Sequence, residues 1–198
     1  MRRLKLTIET PGGHSWLHFG QPSAVHLMGS FIHLLSQVNP GEQPRTTYNV
    51  GVIEGGRSIN TIASEAACYI DLRSTDPQAL QALEQTVRSL PERLALPESR
   101  FHFEVVGDRP AGSIPQGHPL VRLAAEAHQA IGMQVELDAG STDANIPLAR
   151  GIPAVCVGLT YGGNAHRLDE YIEIEPLEKG MWQLLLLASA AANGAGAW

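Results

Sequence analysis

Three short segments carry residue types that could do chemistry, and each sits in a glycine-rich turn or beside an apolar run. The first is Gly12-Gly13-His14-Ser15-Trp16. A histidine directly after a glycine pair is held where backbone can approach a ligand closely. An exposed loop histidine is the plainer reading of the same residues. His14 and His18 stand four apart, but no Glu follows His14 and the glycines oppose a helix, so a zincin-type metal pair is not expected. The second segment is Gly55-Gly56-Arg57-Ser58-Ile59-Asn60-Thr61-Ile62. It reads either as an ordinary hairpin loop or as a device that presents the Asn60 amide, donor and acceptor at once, to a substrate carbonyl or carboxylate. Arg73, at the far end of the following strand, is charged where the pattern predicts an edge. A surface ion pair and a fork for a substrate carboxylate are the two readings.

The third segment, Gly140-Ser141-Thr142-Asp143-Ala144-Asn145, lies at an expected helix N-terminus, where free N–H groups favour an anion. Ser141 or Thr142 could equally be a simple helix cap. Further on comes Gly162-Gly163-Asn164-Ala165-His166-Arg167-Leu168-Asp169-Glu170. A histidine beside acidic residues at a strand end is a reasonable zinc ligand, yet it is one ligand only.

The elements that must position these residues follow from periodicity. Leu4 to Ile8 alternates apolar and polar as a half-buried strand does. From Pro22 a helix is expected, with Ser23 as a possible cap and a stripe of Ala24, Leu27, Met28, Phe31, Ile32 and Leu35. His26 and His33 fall off that stripe and are read as solvent-facing. Thr46 to Ile53 and Glu65 to Arg73 read as strands, with Cys68, Ile70 and Leu72 on one face of the second. Asp76-Pro77 opens a second helix striped by Leu80, Leu83 and Val87, and Phe101 to Val106 closes the set as a strand. The order β-α-β-β-α-β is the split, ferredoxin-like pattern.

From about Asp108 the pattern changes to α/β. Helices are expected over Pro119–Ile131, from the Gly140 turn through Leu148, and over Pro176–Ala192. Strands are expected at Gln134–Leu137 and at Pro153–Val157, the latter patterned for burial on both faces of a parallel sheet. The fold class expected is thus α/β (α+β), with a ferredoxin-like domain over 1–107 and an incomplete α/β segment over 108–198.

Composition narrows the function. The chain has 198 residues, 43% hydrophobic and 17% charged, an ordinary globular balance with a net charge of −6. Residues 1–107 carry nine basic and ten acidic side chains, a net of −1, and residues 108–198 carry five and ten, a net of −5. That balance opposes nucleic acid as a partner. Met1-Arg2-Arg3 precedes no apolar stretch, and the longest apolar run, Leu184 to Ala192, falls far short of a bilayer span. A soluble, cytoplasmic protein without a membrane partner is expected. Cys68 and Cys156 each lie in an apolar run and read as buried free thiols.

In order and spacing, Gly13-His14-Ser15, Gly55-Gly56 through Asn60-Thr61-Ile62, Asp71-Leu72-Arg73, Gly140-Ser141-Thr142-Asp143-Ala144 and Ala165-His166-Arg167-Leu168-Asp169-Glu170 resemble a known family along the whole chain. It is the zinc-dependent exopeptidase and amidohydrolase family of acetylornithine deacetylase, succinyl-diaminopimelate desuccinylase, aminoacylase and peptidase T. The resemblance implies an α/β catalytic domain with two zinc ions, interrupted by a ferredoxin-like dimerisation domain, and a homodimer. It implies that His14 reaches the partner's active site and stabilises the oxyanion. Asn60 and Arg73, with Gly140, Ser141 and Thr142, would contact substrate, and His166 would be a zinc ligand. The reaction implied is hydrolysis of an amide bond in a peptide or N-acyl amino acid by a metal-activated water.

The family's remaining metal ligands and its general base lie upstream of the dimerisation domain, and their motifs are not in this sequence. One histidine does not hold catalytic zinc, so the chain alone is expected to bind none and to be inactive. The alternative is a non-catalytic dimerisation or small-ligand-binding module.

Overall fold

Leu4, Leu6 and Ile8 are fully buried while Lys5 and Thr7 between them are half-exposed, the single-sided burial that makes a sheet strand of β1 (Arg2–Glu9). The computed structural model describes residues 1–194, and the chain divides into two compact units, Met1–Ala111 and Gly112–Trp198. In the first unit β1 is followed by the two-residue β2 (Gly13–His14), helix α1 (Ala24–Ser36), β3 (Thr46–Gly55), the two-residue β4 (Thr61–Ile62), β5 (Glu65–Ser74), helix α2 (Pro77–Ser89) and β6 (Arg100–Asp108). The long strands form one antiparallel sheet in the order β3-β5-β1-β6. This is the ferredoxin-like arrangement that the element order predicts.

The apolar stripe of α1 and the Leu83–Val87 stripe of α2 pack on the Leu4, Leu6, Ile8, Cys68, Ile70 and Leu72 face. Phe31 meets Phe103 edge to face at 6.2 Å. Asp76 caps α2 by accepting the Ala79 N–H at 2.7 Å, with Pro77 at the first helical position. The opposite sheet face is polar and wet: Lys5 lies over the Tyr69 ring at 5.7 Å, and Arg3 pairs with Asp71. One expectation changes here. β5 is a central strand between β3 and β1, so Arg73 stands on the solvated face of an inner strand and not on an edge. The edges are β3 and β6, and in β3 a register shift between Val50 and Val52 leaves Val52 and Ile53 exposed beyond it.

The second unit holds α3 (Pro119–Ala130), α4 (Asn145–Ala149), a short ribbon of β7 (Gly162–Gly163) and β8 (Tyr171–Ile172), and α5 (Leu177–Asn193). Ala124 and Ala127 of α3 pack against Leu187 of α5, with Leu123, Val155 and Val157 around them. Gly180 lets α5 approach closely, since a Cβ there would collide with the Leu159 carbonyl. Gln183 is fully buried and bonds through Nε2 to His128 Nδ1 at 2.7 Å.

Two expected strands are absent as ladders. Residues 134–137 and 153–157 take no strand pairing among the described residues. An apolar run earns strand geometry only when a neighbour supplies the ladder hydrogen bonds, and this unit offers no adjacent strand. Pro153–Val157 is one-sided instead: Val155 and Val157 turn to the helices, while Cys156 between them is exposed. The expected burial of Cys156 is therefore overturned, whereas Cys68 is buried in the first unit's core. Burial pushes the Cys68 thiol up to about 11, against a smaller opposing pull from its hydrogen bond with the Leu6 backbone.

Candidate functional site

His14 and Asn60 are brought together by a miniature ribbon. In β2 and β4, Gly13 pairs with Ile62 and His14 with Thr61, and the Ser15 N–H donates to the Asn60 carbonyl at 3.0 Å. Both glycines before His14 are required by close approach at positive φ. A Cβ on Gly12 (φ +70°) would lie 2.9 Å from the Ser64 Cβ, and one on Gly13 (φ +154°) would lie 2.9 Å from His18 Nδ1.

The ring of His18 accepts the His14 N–H through Nδ1 at 2.9 Å, and the His18 N–H returns to the His14 carbonyl at 2.9 Å. His18 thus locks the turn. The His14 ring accepts the Trp16 N–H through Nδ1 at 3.2 Å. In the neutral ring that leaves the proton on Nε2, a donor at an exposed position. Beside it, Asn60 Oδ1 accepts the Ser58 hydroxyl at 2.9 Å, and Ser58 also meets the Thr61 hydroxyl at 2.7 Å. Ser58 thereby orients the Asn60 amide, whose NH2 group is uncommitted among the described residues. A histidine N–H and an amide N–H2 on one ribbon are suited to a carbonyl oxygen that gains negative charge.

Arg73 lies elsewhere. It follows Glu65, next to the ribbon, by eight residues of extended strand, a separation of about 26 Å at ~3.3 Å per residue. Its Nε donates to Asp71 Oδ2 at 2.5 Å, and Arg3 Nε donates to Asp71 Oδ1 at 3.1 Å. Burial pushes the Asp71 carboxyl up, but the hydrogen bonds and charges of Arg73 and Arg3 more than reverse this, so it sits below its ordinary value. The surface ion pair is formed, and the guanidinium remains half-exposed beyond it.

In the second unit the Gly140-Ser141-Thr142 loop leads into α4, which is only five residues long. The Asn145 carboxamide oxygen accepts the Thr142 N–H at 2.7 Å, and the Thr142 hydroxyl accepts the Ala144 N–H at 3.2 Å. These bonds brace the loop ahead of the helix: Ala144 stands at the N-cap without a side-chain cap, and the Asn145 N–H donates to the Thr142 carbonyl at 3.1 Å. The Ser141 hydroxyl is buried without a partner among the described residues.

His166 lies in the loop between β7 and β8 in a left-handed conformation, φ 65°, rare for a residue with a Cβ. The loop over-determines it: Glu170 accepts the His166 N–H at 3.1 Å, Asn164 donates to Asp169 at 2.9 Å, and Arg167 donates to Asp169 at 3.0 Å. These acids are engaged in holding the loop. Among the described residues no three His, Cys, Asp or Glu side chains converge on one point. The donor set present in this chain therefore does not fit a zinc site, and His166 could contribute one ligand at most.

Residues 1–98 match the family model of the peptidase dimerisation domain. The chain is 31% identical over 156 residues to the N-formyl-4-amino-5-aminomethyl-2-methylpyrimidine deformylase of Bacillus subtilis, covering 70% of this chain and 37% of that protein. It is 28% identical over 178 residues to the acetylornithine deacetylase of Myxococcus xanthus, covering 83% and 46%. A tripeptidase of Staphylococcus aureus has the same fold, with a TM-score of 0.70 at 22% identity over 97% of this chain and 52% of that one. The chain thus spans less than half the length of these two curated relatives. A matching dimerisation domain, with relatives and a fold that continue through the second unit, places the chain in the peptidase and amidohydrolase family that includes acetylornithine deacetylase and peptidase T.

Proposed function

We propose that this chain supplies the dimerisation domain (1–107) and the following part of the catalytic domain (108–198) of a homodimeric, zinc-dependent hydrolase. The bond cleaved is the amide of a peptide or N-acyl amino acid. One observation carries the reading: His14 and Asn60 share a ribbon at one end of the sheet, while Arg73 stands about 26 Å away at the other end. A substrate of amino-acid or dipeptide size cannot touch both ends of one domain. A site that uses all three needs two domains, His14 and Asn60 coming from one protomer and Arg73 from its partner. A C2 dimer makes two such sites.

In that site the His14 Nε2–H and the Asn60 amide stabilise the oxyanion, and Arg73 binds the substrate carboxylate. Gly140, Ser141 and Thr142 line the pocket. His166 is one ligand of a metal whose other ligands this chain does not contain, and no hydrolytic step is assigned to the chain by itself. When bound, two zinc ions would activate the attacking water. The β3 edge with exposed Val52 and Ile53, and the loop with Trp16 84% and Phe19 92% exposed, support pairing with a second copy. No helix of the described residues is long and apolar enough to cross a membrane.

Sedimentation of the chain tests the dimer, with twice the chain mass expected and a monomer at all concentrations overturning it. Zinc analysis with an N-acyl amino acid and dipeptide panel tests the rest. The chain alone should hold no stoichiometric zinc and release no amine. Two zinc ions per chain with turnover would overturn the claim that it lacks a complete catalytic centre. A stand-alone dimerisation or small-ligand-binding module is the second reading, favoured by the finished sheet and core of Met1–Ala111.

A further inference from the structure

Asp71 and Arg73 stand two apart on β5 and share its solvated face, and Arg3 is the register partner of Asp71 on β1. The Asp71 carboxylate takes one bond from each arginine. Its Oδ2 accepts the Arg73 Nε–H, and its Oδ1 accepts the Arg3 Nε–H at 3.1 Å. Neither guanidinium makes a further hydrogen bond among the described residues. Each therefore keeps its terminal nitrogen pair uncommitted, the edge that matches a carboxylate bidentately. The surface ion pair and the carboxylate fork are thus compatible at Arg73, because Asp71 occupies the Nε position alone.

The sheet fixes where the second arginine lies. One row across it runs Asn49, Asp71, Arg3, Gly107. A Cβ on Gly107 would stand 3.3 Å from both the Cβ and the Cδ of Arg3, so the Arg3 stem runs close against the space that this glycine leaves open. The next row holds Lys5 with Tyr69 and Glu104, one charge of each sign. Asp71 is about a quarter exposed and the two arginines about half. An ion pair alone requires one arginine. Two guanidinium groups on one carboxylate leave a positive charge over, in a chain whose net charge is −6. Two free bidentate edges, side by side on one anchor, are suited to two carboxylates of one small molecule.

We propose that Asp71 is a positioning residue that holds Arg73 and Arg3 as a two-guanidinium cradle, and that this cradle takes the two carboxylates of an acidic leaving amino acid. The proposal rests on the hydrolase reading for the kind of substrate, and it deepens the role of Arg73 there. Arg3 is the residue that separates an acidic amino acid from a neutral one. The cradle lies within one domain, so its binding step is open to measurement on this chain.

NMR of the arginine Nε–H resonances of the full chain tests it. N-acetylglutamate, N-acetylalanine and N-acetylalaninamide are titrated separately at constant ionic strength. The Arg73 Nε–H should shift saturably with both acids and stay still with the amide. N-acetylglutamate should bind about fivefold tighter than N-acetylalanine, the upper end for a half-exposed pair. Arg3→Ala should erase that preference and leave N-acetylalanine binding unchanged. Asp71→Asn should weaken both acids even though it removes a negative charge, and Asp71→Glu should recover part of the loss. A residue acting only through its charge predicts the reverse sign for Asp71→Asn. The proposal is overturned if Asp71→Asn binds the acids as tightly as the wild type or tighter, if the two acids bind equally, or if the Arg73 resonance never moves. Sedimentation of the same samples separates this failure from that of the hydrolase reading. A dimer without these shifts sinks the cradle alone, and shifts in a strict monomer uphold the cradle and sink the shared site.

Discussion

His14 and Asn60, far apart in sequence, are fastened side by side by a single backbone hydrogen bond, Ser15 N–H to Asn60 carbonyl at 3.0 Å, and a two-pair ribbon. Gly13 is the point on which that arrangement turns. In Gly13→Ala the added Cβ would meet His18 Nδ1 at 2.9 Å and His18 Cβ at 3.1 Å, from a φ that L-residues avoid. The lock between His18 and His14 should open, with a loss of about 1–3 kcal/mol from the strained backbone. Denaturant unfolding reads the energy, and histidine ring resonances of His14 and His18 that lose their separate environments read the cause. An unchanged melt with unchanged ring signals would contradict the geometry.

Acid should weaken the first unit through Asp71. Its carboxyl titrates below its ordinary value in the folded chain because Arg73 and Arg3 bond its charged form. The folded state then holds fewer protons than the unfolded state in that window. The stability so gained is complete above an unfolded Asp value of about 3.9 and is lost as pH falls through the lower folded value. Asp71→Asn should be less stable than the wild type at neutral pH by about 1 kcal/mol, the scale of a partly exposed pair. The gap should close as pH falls through that lower folded value, when the wild-type carboxyl is itself protonated. A gap that stays constant from neutral to acid pH would assign the loss to packing instead.

The two thiols should separate cleanly in a labelling experiment. Cys68 is fully buried with its thiol pushed up to about 11, while Cys156 is exposed. The native chain should therefore present one fast thiol to an aromatic disulfide reagent at neutral pH, and the second only on unfolding. Cys156→Ser should abolish the fast phase. Loss of the fast phase in Cys68→Ser would reverse the assignment.

Gly180→Ala should damage the second unit more than its single methyl suggests. The new Cβ would collide with the Leu159 backbone, which has no flexible side-chain end to swing away. Overpacking against backbone typically costs about 1–3 kcal/mol or more. The buried bond between Gln183 and His128, one turn further along α5, should weaken with it. A circular dichroism melt reads the loss, and a midpoint equal to the wild type would show that α5 and the Leu159 segment can part freely.

How much of this was legible without coordinates differs between the two units. In the first, local signals agree with the tertiary result. Period-two alternation fixes the buried face of β1 and β5, and the Asp76-Pro77 start of α2 caps as its residue types require. Such patterns carry through because each element buries a face that its own sequence defines. The second unit is less legible. Its two expected strands take no ladder, and Cys156 turns outward. Pairing is a property of two segments, so an apolar run cannot specify it alone.

The residue types and their spacing by themselves determined the ferredoxin-like order, the positions able to do chemistry and the family resemblance. Only tertiary structure decided which of those positions meet. Strand direction sets Arg73 at one end of β5 and the His14–Asn60 ribbon at the other, and the Thr142 and Asn145 side chains bond N–H groups of the loop just ahead of α4. The physical reason is the same in each case: propensity and periodicity act within a few residues, whereas hydrogen-bond partners and strand ends are assigned by the chain's path through space.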